Sequence, residues 1–166
     1  GGWGAGPEFL GGTVALGGGV PELGGECLRR GLGPEEGTAG FVSHQCEKRF
    51  FYAPSLPAMQ TTAAAKSGGW QHWVENSDAV FIDGTFWSDD ELIKTGRSKK
   101  TAREIGHVPL SGPGGLLEQC PKSARGRRIL IHINNTNPIL DEDSAQHRAV
   151  LDAGFEIAHD GMEVEL

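Results

Sequence analysis

The chain has 166 residues, which suits a single domain with a buried core, and its formal net charge is -7. Its 15 Lys and Arg residues form no continuous basic stripe. This argues against nucleic acid as a partner, because neutralising phosphates requires a basic face. The sequence contains no run of about 18 apolar residues, so it predicts no membrane span, and no basic-then-apolar leader is visible at its N-terminus.

The first part of the chain is unusually rich in glycine, which fills 15 of the first 40 positions. Such a segment buries little apolar surface against the entropy of ordering the chain. We therefore expect residues 1–40 to be poorly ordered or foreign to the domain. The folded part is predicted to begin near Phe41 and to occupy residues 41–166.

The first half of that part alternates strand-like and helix-like segments. Arg49–Ala53 is short, aromatic and followed by proline, which indicates a strand, and a helix is predicted over 70–76. Ala79–Asp83 is an apolar run closed by an acid, which predicts a buried strand with a carboxylate at its end. The capping-box pattern at 88–91 predicts a helix over 89–95.

The second half continues the alternation. A Gly- and Pro-rich loop at 107–115 precedes a short helix predicted over 116–120. The clearest strand covers 127–133, a polar loop follows it, and a helix is predicted over 143–153 before a final strand over 155–158. Strands separated by helices indicate a layered α/β domain.

Three side chains that can carry chemistry occupy similar positions. Asp83, His107 and His132 each lie at the end of an apolar strand or just after one, where layered α/β folds place their sites. A carboxylate and two imidazoles could there bind a metal or move protons. Structural alternatives remain open. Asp83 could cap a turn, His107 could bond to backbone, and His132 could be a buried imidazole within the core strand.

Four blocks of unusual sequence go further than this spacing. They read FIDGTFW (81–87), TAREIGHVPLSGPGG (101–115), ILIHINNTNPIL (129–140) and DGMEVEL (160–166). In order and spacing they resemble the C-terminal portion of the pyrroloquinoline quinone (PQQ) biosynthesis protein B family. The resemblance runs from about Phe50 to the last residue, and the Gly-rich head lies outside it.

The resemblance implies an α/β fold that forms part of a metallo-β-lactamase-like αββα four-layer sandwich. His132 falls where that superfamily has its last metal-binding histidine. Asp83 and His107 resemble the acid and histidine pair of its phosphodiesterase branch, so we assign them catalytic roles, in which they assist proton transfer or position the substrate. In the loop after His132, the amides at 134, 135 and 137 could orient the histidine, satisfy a turn or bind substrate. We predict substrate binding for Asn134, Asn135 and Asn137.

Two departures from the superfamily pattern shape the expected chemistry. Where its hydrolases have a Gly-Asp-Thr strand end, this chain has Tyr52, Ala53 and Pro54, of which Ala and Pro cannot bind metal. One divalent metal is therefore expected, with Fe(II) favoured and Zn(II) the alternative. The family's Cys-rich segment and Asp/His motif are also missing. The remaining ligands, and the sheet that would cover this half's apolar face, should thus lie outside this chain, and an exposed face would favour self-association.

The implied function is PQQ biosynthesis in the cytoplasm, with a small-molecule precursor as partner. The full-length parent would oxidise or hydroxylate a Glu–Tyr-derived precursor, as a mononuclear non-haem iron oxygenase rather than a hydrolase. Two alternatives stay open. The protein could be a carrier that binds and transports PQQ or its precursor, or this chain could be an inactive truncated fragment.

Overall fold

The computed structural model describes residues 13–15, 30–31, 39–42, 48–56 and 69–165. Its eight strands are β1 (Thr13–Ala15), β2 (Arg30–Gly31), β3 (Ala39–Val42), β4 (Arg49–Ala53), β5 (Ala79–Asp83), β6 (Arg127–Ile131), β7 (Glu156–Ile157) and β8 (Glu163–Glu165). Six of them form one sheet in the order β2-β3-β4-β5-β6-β7, and β1 pairs with β8 in a separate antiparallel ribbon. Within the large sheet, β2, β3 and β4 are antiparallel neighbours, whereas β4 to β7 run parallel.

Helical segments connect the parallel strands. They are α1 (Gly69–Glu75), α2 (Glu91–Lys94), α3 (Leu116–Gln119), α4 (Ala145–Asp152) and two 3₁₀ turns (Arg103–Ile105 and Pro138–Leu140). At the start of α4, the Ser144 hydroxyl accepts a hydrogen bond from the His147 N–H at 2.9 Å, as an N-cap should. In the described part of the chain, no helix is both long enough and apolar enough to cross a membrane.

Strand β5 lies at the centre of the core, because all of its residues are buried. Val80 and Ile82 pack into the cluster beneath the helices, while Ala79 and Phe81 pack on the opposite face. An apolar run that alternates between two buried faces is typical of an internal parallel strand. This burial explains why the strand was easy to recognise from its sequence.

The predicted α/β alternation is confirmed, and two elements differ in detail. Helix α2 is only four residues long, and the predicted capping box at 88–91 is wrong. In a capping box the Ser88 and Glu91 side chains would each accept the other residue's N–H. Instead, the Ser88 hydroxyl donates to Asp90, and the Glu91 carboxylate accepts from the Trp87 N–H. Strand β6 ends at Ile131, two residues before the predicted end at 133. It stops there because His132 has a φ of 56°, which no strand can accommodate.

Strands β1, β2 and β3 lie in or near the Gly-rich head, and β3 crosses the predicted boundary between residues 40 and 41. Most of residues 1–40 lie outside the described residues, so the expected poor order of that segment stays a prediction. Strand β8 was not predicted. Its alternating Glu163-Val164-Glu165 pattern is the signal that could have indicated it.

The sheet face opposite the helices is covered where it is described. Phe50, Phe81 and Ile129 are at most 1% exposed, and they share a cluster with Met162 and Val164 of the C-terminal segment. The prediction that this apolar face would be exposed is therefore wrong for these residues. Self-association of the chain stays a prediction, but an exposed apolar face at these residues no longer supports it.

An ion pair between β6 and β7 should make stability depend on pH. Arg127 donates to both oxygens of Glu156, at 2.9 and 2.7 Å, and these bonds hold the pKa of the Glu156 carboxyl below its ordinary value of 4.5. A carboxyl whose pKa is lowered on folding stabilises the fold above its unfolded pKa, and that contribution disappears as the pH falls through the folded pKa. Because both side chains are 39% exposed, the contribution is small.

We expect Glu156→Gln to lower the free energy of unfolding by less than about 1 kcal/mol at neutral pH. In strongly acid solution, where the wild-type carboxyl is also protonated, it should have no effect. Urea unfolding at both pH values measures this. Glu163→Gln, at an exposed position, is the matched control. An equal loss of stability at both pH values would contradict the ion-pair explanation.

Candidate metal and proton-transfer site

The candidate site lies at the carboxyl edge of three neighbouring parallel strands. Strands β4, β5 and β6 end at Ala53, Asp83 and Ile131, and Asp83 pairs directly with Ile131. Because parallel strands end on one edge, the loops that follow them meet there. His107 arrives from the β5–β6 connection, whose next residue, Val108, donates its N–H to the Leu56 carbonyl at 2.8 Å.

Asp83 is buried at this edge, and its carboxylate accepts four hydrogen bonds. Oδ1 accepts from the Thr85 N–H at 3.1 Å and from the Thr85 hydroxyl at 2.5 Å. Oδ2 accepts from the Leu56 N–H at 2.8 Å and pairs with His107 Nδ1 at 2.7 Å. These bonds use the acceptor sites of both oxygens. Asp83 is thus suited to orienting its neighbours, and it also caps the turn at Thr85.

The His107 ring pairs with this carboxylate. The alternative in which the ring bonds to a backbone group is therefore not what the structure contains. Its side chain is 13% exposed, and the edge of the Phe86 ring packs against it at a centroid distance of 5.7 Å. An ionised carboxylate can only accept, so His107 Nδ1 carries the proton of the bond to Asp83. The other nitrogen, Nε2, remains available to bind a metal or to exchange a proton.

His132 follows the last residue of β6 and is exposed, so the prediction of a buried imidazole within the core strand is wrong. Its Nδ1 lies 2.9 Å from Thr85 Oγ1. The single proton of that hydroxyl is donated to Asp83, which leaves Thr85 Oγ1 to accept from His132 Nδ1. In the neutral ring, the unprotonated nitrogen is therefore His132 Nε2.

The structure brings the three predicted residues together. Ligand atoms of Asp83, His107 and His132 all lie within 4.8 Å of one another, and the two imidazole rings are 5.3 Å apart at a tilt of 35°. Two neighbouring imidazoles, one of them oriented by a carboxylate, fit the donor set of a divalent metal site. Catalytic zinc sites commonly use three protein ligands, so the two imidazoles would fill part of the set.

The three predicted substrate-binding amides have different environments. Asn137 is 2% exposed; its Nδ2 donates to the Gly84 carbonyl at 2.8 Å, and its Oδ1 accepts from the Ile139 N–H at 3.1 Å. These bonds leave Asn137 no exposed group for a substrate, so its predicted role is corrected to a structural one. Asn134 is half-buried and Asn135 is exposed, and for these two substrate binding stays a prediction.

Sequence reasoning missed three hydroxyl and carboxylate groups around the site, at Thr85, Glu91 and Thr136. Thr85 stands two residues after a strand-end acid, where a side chain commonly accepts the following N–H in a turn, and this was the available signal. Glu91 was interpreted only as a helix cap. Nothing in the spacing of Thr136 indicates that it contacts Glu91, 45 positions away.

Comparison with known proteins agrees with this fold. Residues 21–133 match the model of the beta-lactamase superfamily domain. The "Coenzyme PQQ synthesis protein B" of Methylococcus capsulatus is 44% identical over 136 residues, covering 80% of this chain and 42% of the relative. That of Azoarcus sp. is 48% identical over 120 residues, covering 72% of this chain and 37% of the relative.

A solved structure is also similar. It is the crystal structure of "Zn(2+)-bound PqqB from Methylobacterium extorquens", with a TM-score of 0.65 and 32% sequence identity. The match covers 78% of this chain and 40% of that one.

The chain belongs to the beta-lactamase superfamily domain family, and its fold is metallo-β-lactamase-like. Within that superfamily it is similar to coenzyme PQQ synthesis protein B, which confirms the resemblance predicted from the sequence. It spans about two fifths of the length of the curated relatives it matches.

The Thr85 hydroxyl should be necessary for strong metal binding. Thr85→Val keeps the side-chain volume but removes the acceptor of the His132 Nδ1 bond and one donor to Asp83. We expect the affinity for a divalent metal to fall by about 10- to 100-fold, as for other residues that orient ligands. Competition with a chromophoric chelator measures this affinity. Thr101→Val, at a half-buried threonine outside the cluster, is the control, and an equal loss in both variants would contradict the assignment.

Proposed function

We propose that this chain contributes to PQQ biosynthesis by forming one side of the active site of a metal-dependent oxidising enzyme. The observation that carries the proposal is the hydrogen-bonded cluster of Asp83, Thr85, His107 and His132 at the strand edge. The similarity to coenzyme PQQ synthesis protein B supports the pathway. The cluster supports a metal and proton-transfer role within it.

In this proposal His132 and His107 bind one divalent metal through Nε2. The metal would supply Lewis-acid and redox chemistry toward oxygen and the substrate, and Fe(II) suits a histidine site with open positions. Zn(II) is the alternative, since the Methylobacterium extorquens protein is described as Zn(2+)-bound. The end of β4 supports a single metal over a pair, because neither Ala53 nor Pro54 has a side chain that can bind one.

The remaining residues orient groups and handle protons. Asp83, which is 1% exposed, fixes the His107 ring through the bond to Nδ1, so His107 Nε2 could accept a proton whenever it is not bound to the metal. Asn134 and Asn135 follow His132 and would contact the polar, multi-carbonyl precursor. The substrate would be a Glu–Tyr-derived precursor of the quinone, and the site would act in the cytoplasm, as the family resemblance implies.

A carrier function is the second candidate. The exposed Asn135 amide beside the half-buried Asn134 favours it, because polar side chains alone could bind the quinone. Carriage needs no redox metal, so the two candidates differ in their dependence on His132. An inactive fragment, the third alternative, would show neither metal binding nor ligand binding.

Metal binding by this chain should depend on His132. After loading with Fe(II) or Zn(II) and dialysis, we expect the wild-type chain to retain metal and His132→Ala to lose most of it, since one of the two available imidazoles is removed. Elemental analysis measures both. His159→Ala, at an exposed histidine outside the cluster, should behave as wild type. Equal retention in all three proteins, or none in the wild type, would contradict metal binding at this edge.

Catalysis is tested in a full-length relative. Loaded with Fe(II), such a protein should consume oxygen in the presence of the cross-linked Glu–Tyr precursor. The variant at the histidine that matches His132 should not, since a metal ligand is lost. If instead neither protein consumes oxygen and both bind PQQ equally well in equilibrium dialysis, the carrier function is correct and the oxidase proposal is wrong.

A further inference from the structure

We propose that Glu91 is a positioning residue whose buried carboxylate fastens the loop carrying His132 to the loop carrying Asp83 and Thr85. The inference rests on the proposed metal site, and it concerns a side chain that contacts neither the metal-binding histidines nor Asp83 directly. Glu91 begins the four-residue helix α2 and is 5% exposed. In the described part of the chain it takes part in no ion pair.

The two oxygens of Glu91 bond to different loops. Oε2 accepts from the Trp87 N–H at 2.6 Å, on the segment that continues from Asp83 and Thr85. Oε1 accepts from the Thr136 hydroxyl, in the segment that follows His132. Thr136 Oγ1 also accepts from Asn134 Nδ2 at 2.6 Å. The Glu91 carboxylate thereby links the segment that follows Asp83 and Thr85 to the segment that follows His132.

Two further bonds join the same loops on either side of Thr136. The Asn134 N–H donates to the Thr85 carbonyl at 3.1 Å, and Asn137 Nδ2 donates to the Gly84 carbonyl at 2.8 Å. These bonds hold the loop at Asn134 and Asn137, and the Glu91 bridge holds it at Thr136, between them. The loop after His132 is thus attached to its neighbour along its length.

His132 needs such support because of its backbone. Its φ of 56° makes it the non-glycine residue with positive φ in the described part of the chain. For a residue with a Cβ, the left-handed conformation is unfavourable, and it persists only where the surroundings hold it. The His132 ring is itself exposed, so packing contributes little to its orientation. The bond from His132 Nδ1 to Thr85 Oγ1 restrains the ring, and bonds from the following loop restrain the backbone that carries it.

The bridge should act through hydrogen-bond geometry and not through charge. Glutamine has the same length: its oxygen can accept from Trp87, and its amide can donate to Thr136 Oγ1, whose own proton is then free to turn away. Alanine removes both bonds and leaves the Trp87 N–H without its buried acceptor. Glu91→Gln should therefore preserve the arrangement, and Glu91→Ala should not.

The test uses the metal-free chain and two readouts of the His132 loop. One is hydrogen exchange of the Asn134 amide, which the bond to the Thr85 carbonyl protects in the wild type. The other is the ¹⁵N signature of the His132 ring, which distinguishes a fixed tautomer from an averaged one. In Glu91→Ala we expect Asn134 exchange to be about tenfold faster, as local opening becomes easier, and the ring signals to average. Glu91→Gln should resemble the wild type in both.

Control variants separate this role from general stability. Glu118→Ala removes another glutamate that accepts a backbone N–H, from Gly114 at 2.6 Å, but at an exposed position of helix α3. It should leave both readouts unchanged. If Glu91→Ala does not fold, Thr136→Val removes the other end of the bridge while retaining the Trp87 bond, and it should give the same two changes. Thermal unfolding of each variant confirms that the comparison is between folded proteins.

The proposal is overturned if the folded Glu91→Ala or Thr136→Val variant keeps wild-type Asn134 exchange and a fixed His132 tautomer. It is also overturned if Glu91→Gln behaves as Glu91→Ala, because charge would then be the important property. Neither readout requires metal or substrate. A failure of the proposed metal function would appear instead in the metal-loading measurement, so the two outcomes can be told apart.

Discussion

The site depends on one buried carboxylate, that of Asp83, and on the four donors that surround it. A carboxylate removed from water is unfavourable unless each oxygen is paired, so its burial obliges separate segments of the chain to supply donors. Leu56 supplies one from the segment after β4, Thr85 supplies two from the turn after β5, and His107 supplies one from the long β5–β6 connection. The position of His107 is therefore fixed by the hydrogen bond that it donates to the buried Asp83 carboxylate.

Thr85 extends this arrangement to the third strand. Its hydroxyl has one proton, which is donated to Asp83, and it can then only accept from His132. A single direction of proton donation thus runs from His132 through Thr85 to Asp83, and a second runs from His107 to the same carboxylate. In the neutral form of each imidazole this leaves Nε2 without a proton, which is the form that binds a metal. The hydrogen bonds required by one buried carboxylate thus set the tautomers of two histidines.

The fold and the identity of the site were largely predictable from the sequence, whereas the connections within the site were not. The strand over Ala79–Asp83 and the gathering of Asp83, His107 and His132 follow from apolar patterning and from the geometry of parallel strands. The exposure of His132 and the burial of Asn137 do not, because local patterning predicted a longer strand and a uniformly polar loop. The partners of Glu91 were hidden because the contact with Thr136 spans 45 positions.

The left-handed backbone at His132 has a consequence for how the site can diversify. A side chain within a strand points to one face or the other by strict alternation, and a one-residue insertion reverses it. His132 stands just beyond the last paired residue of β6, so the direction of its ring depends on Thr85 and on the following loop and not on strand alternation. Substitutions at the exposed positions of that loop can therefore change the direction of the ring while the register of β5 with β6 stays the same. The orientation of the histidine and the pairing of the sheet are in this sense separable.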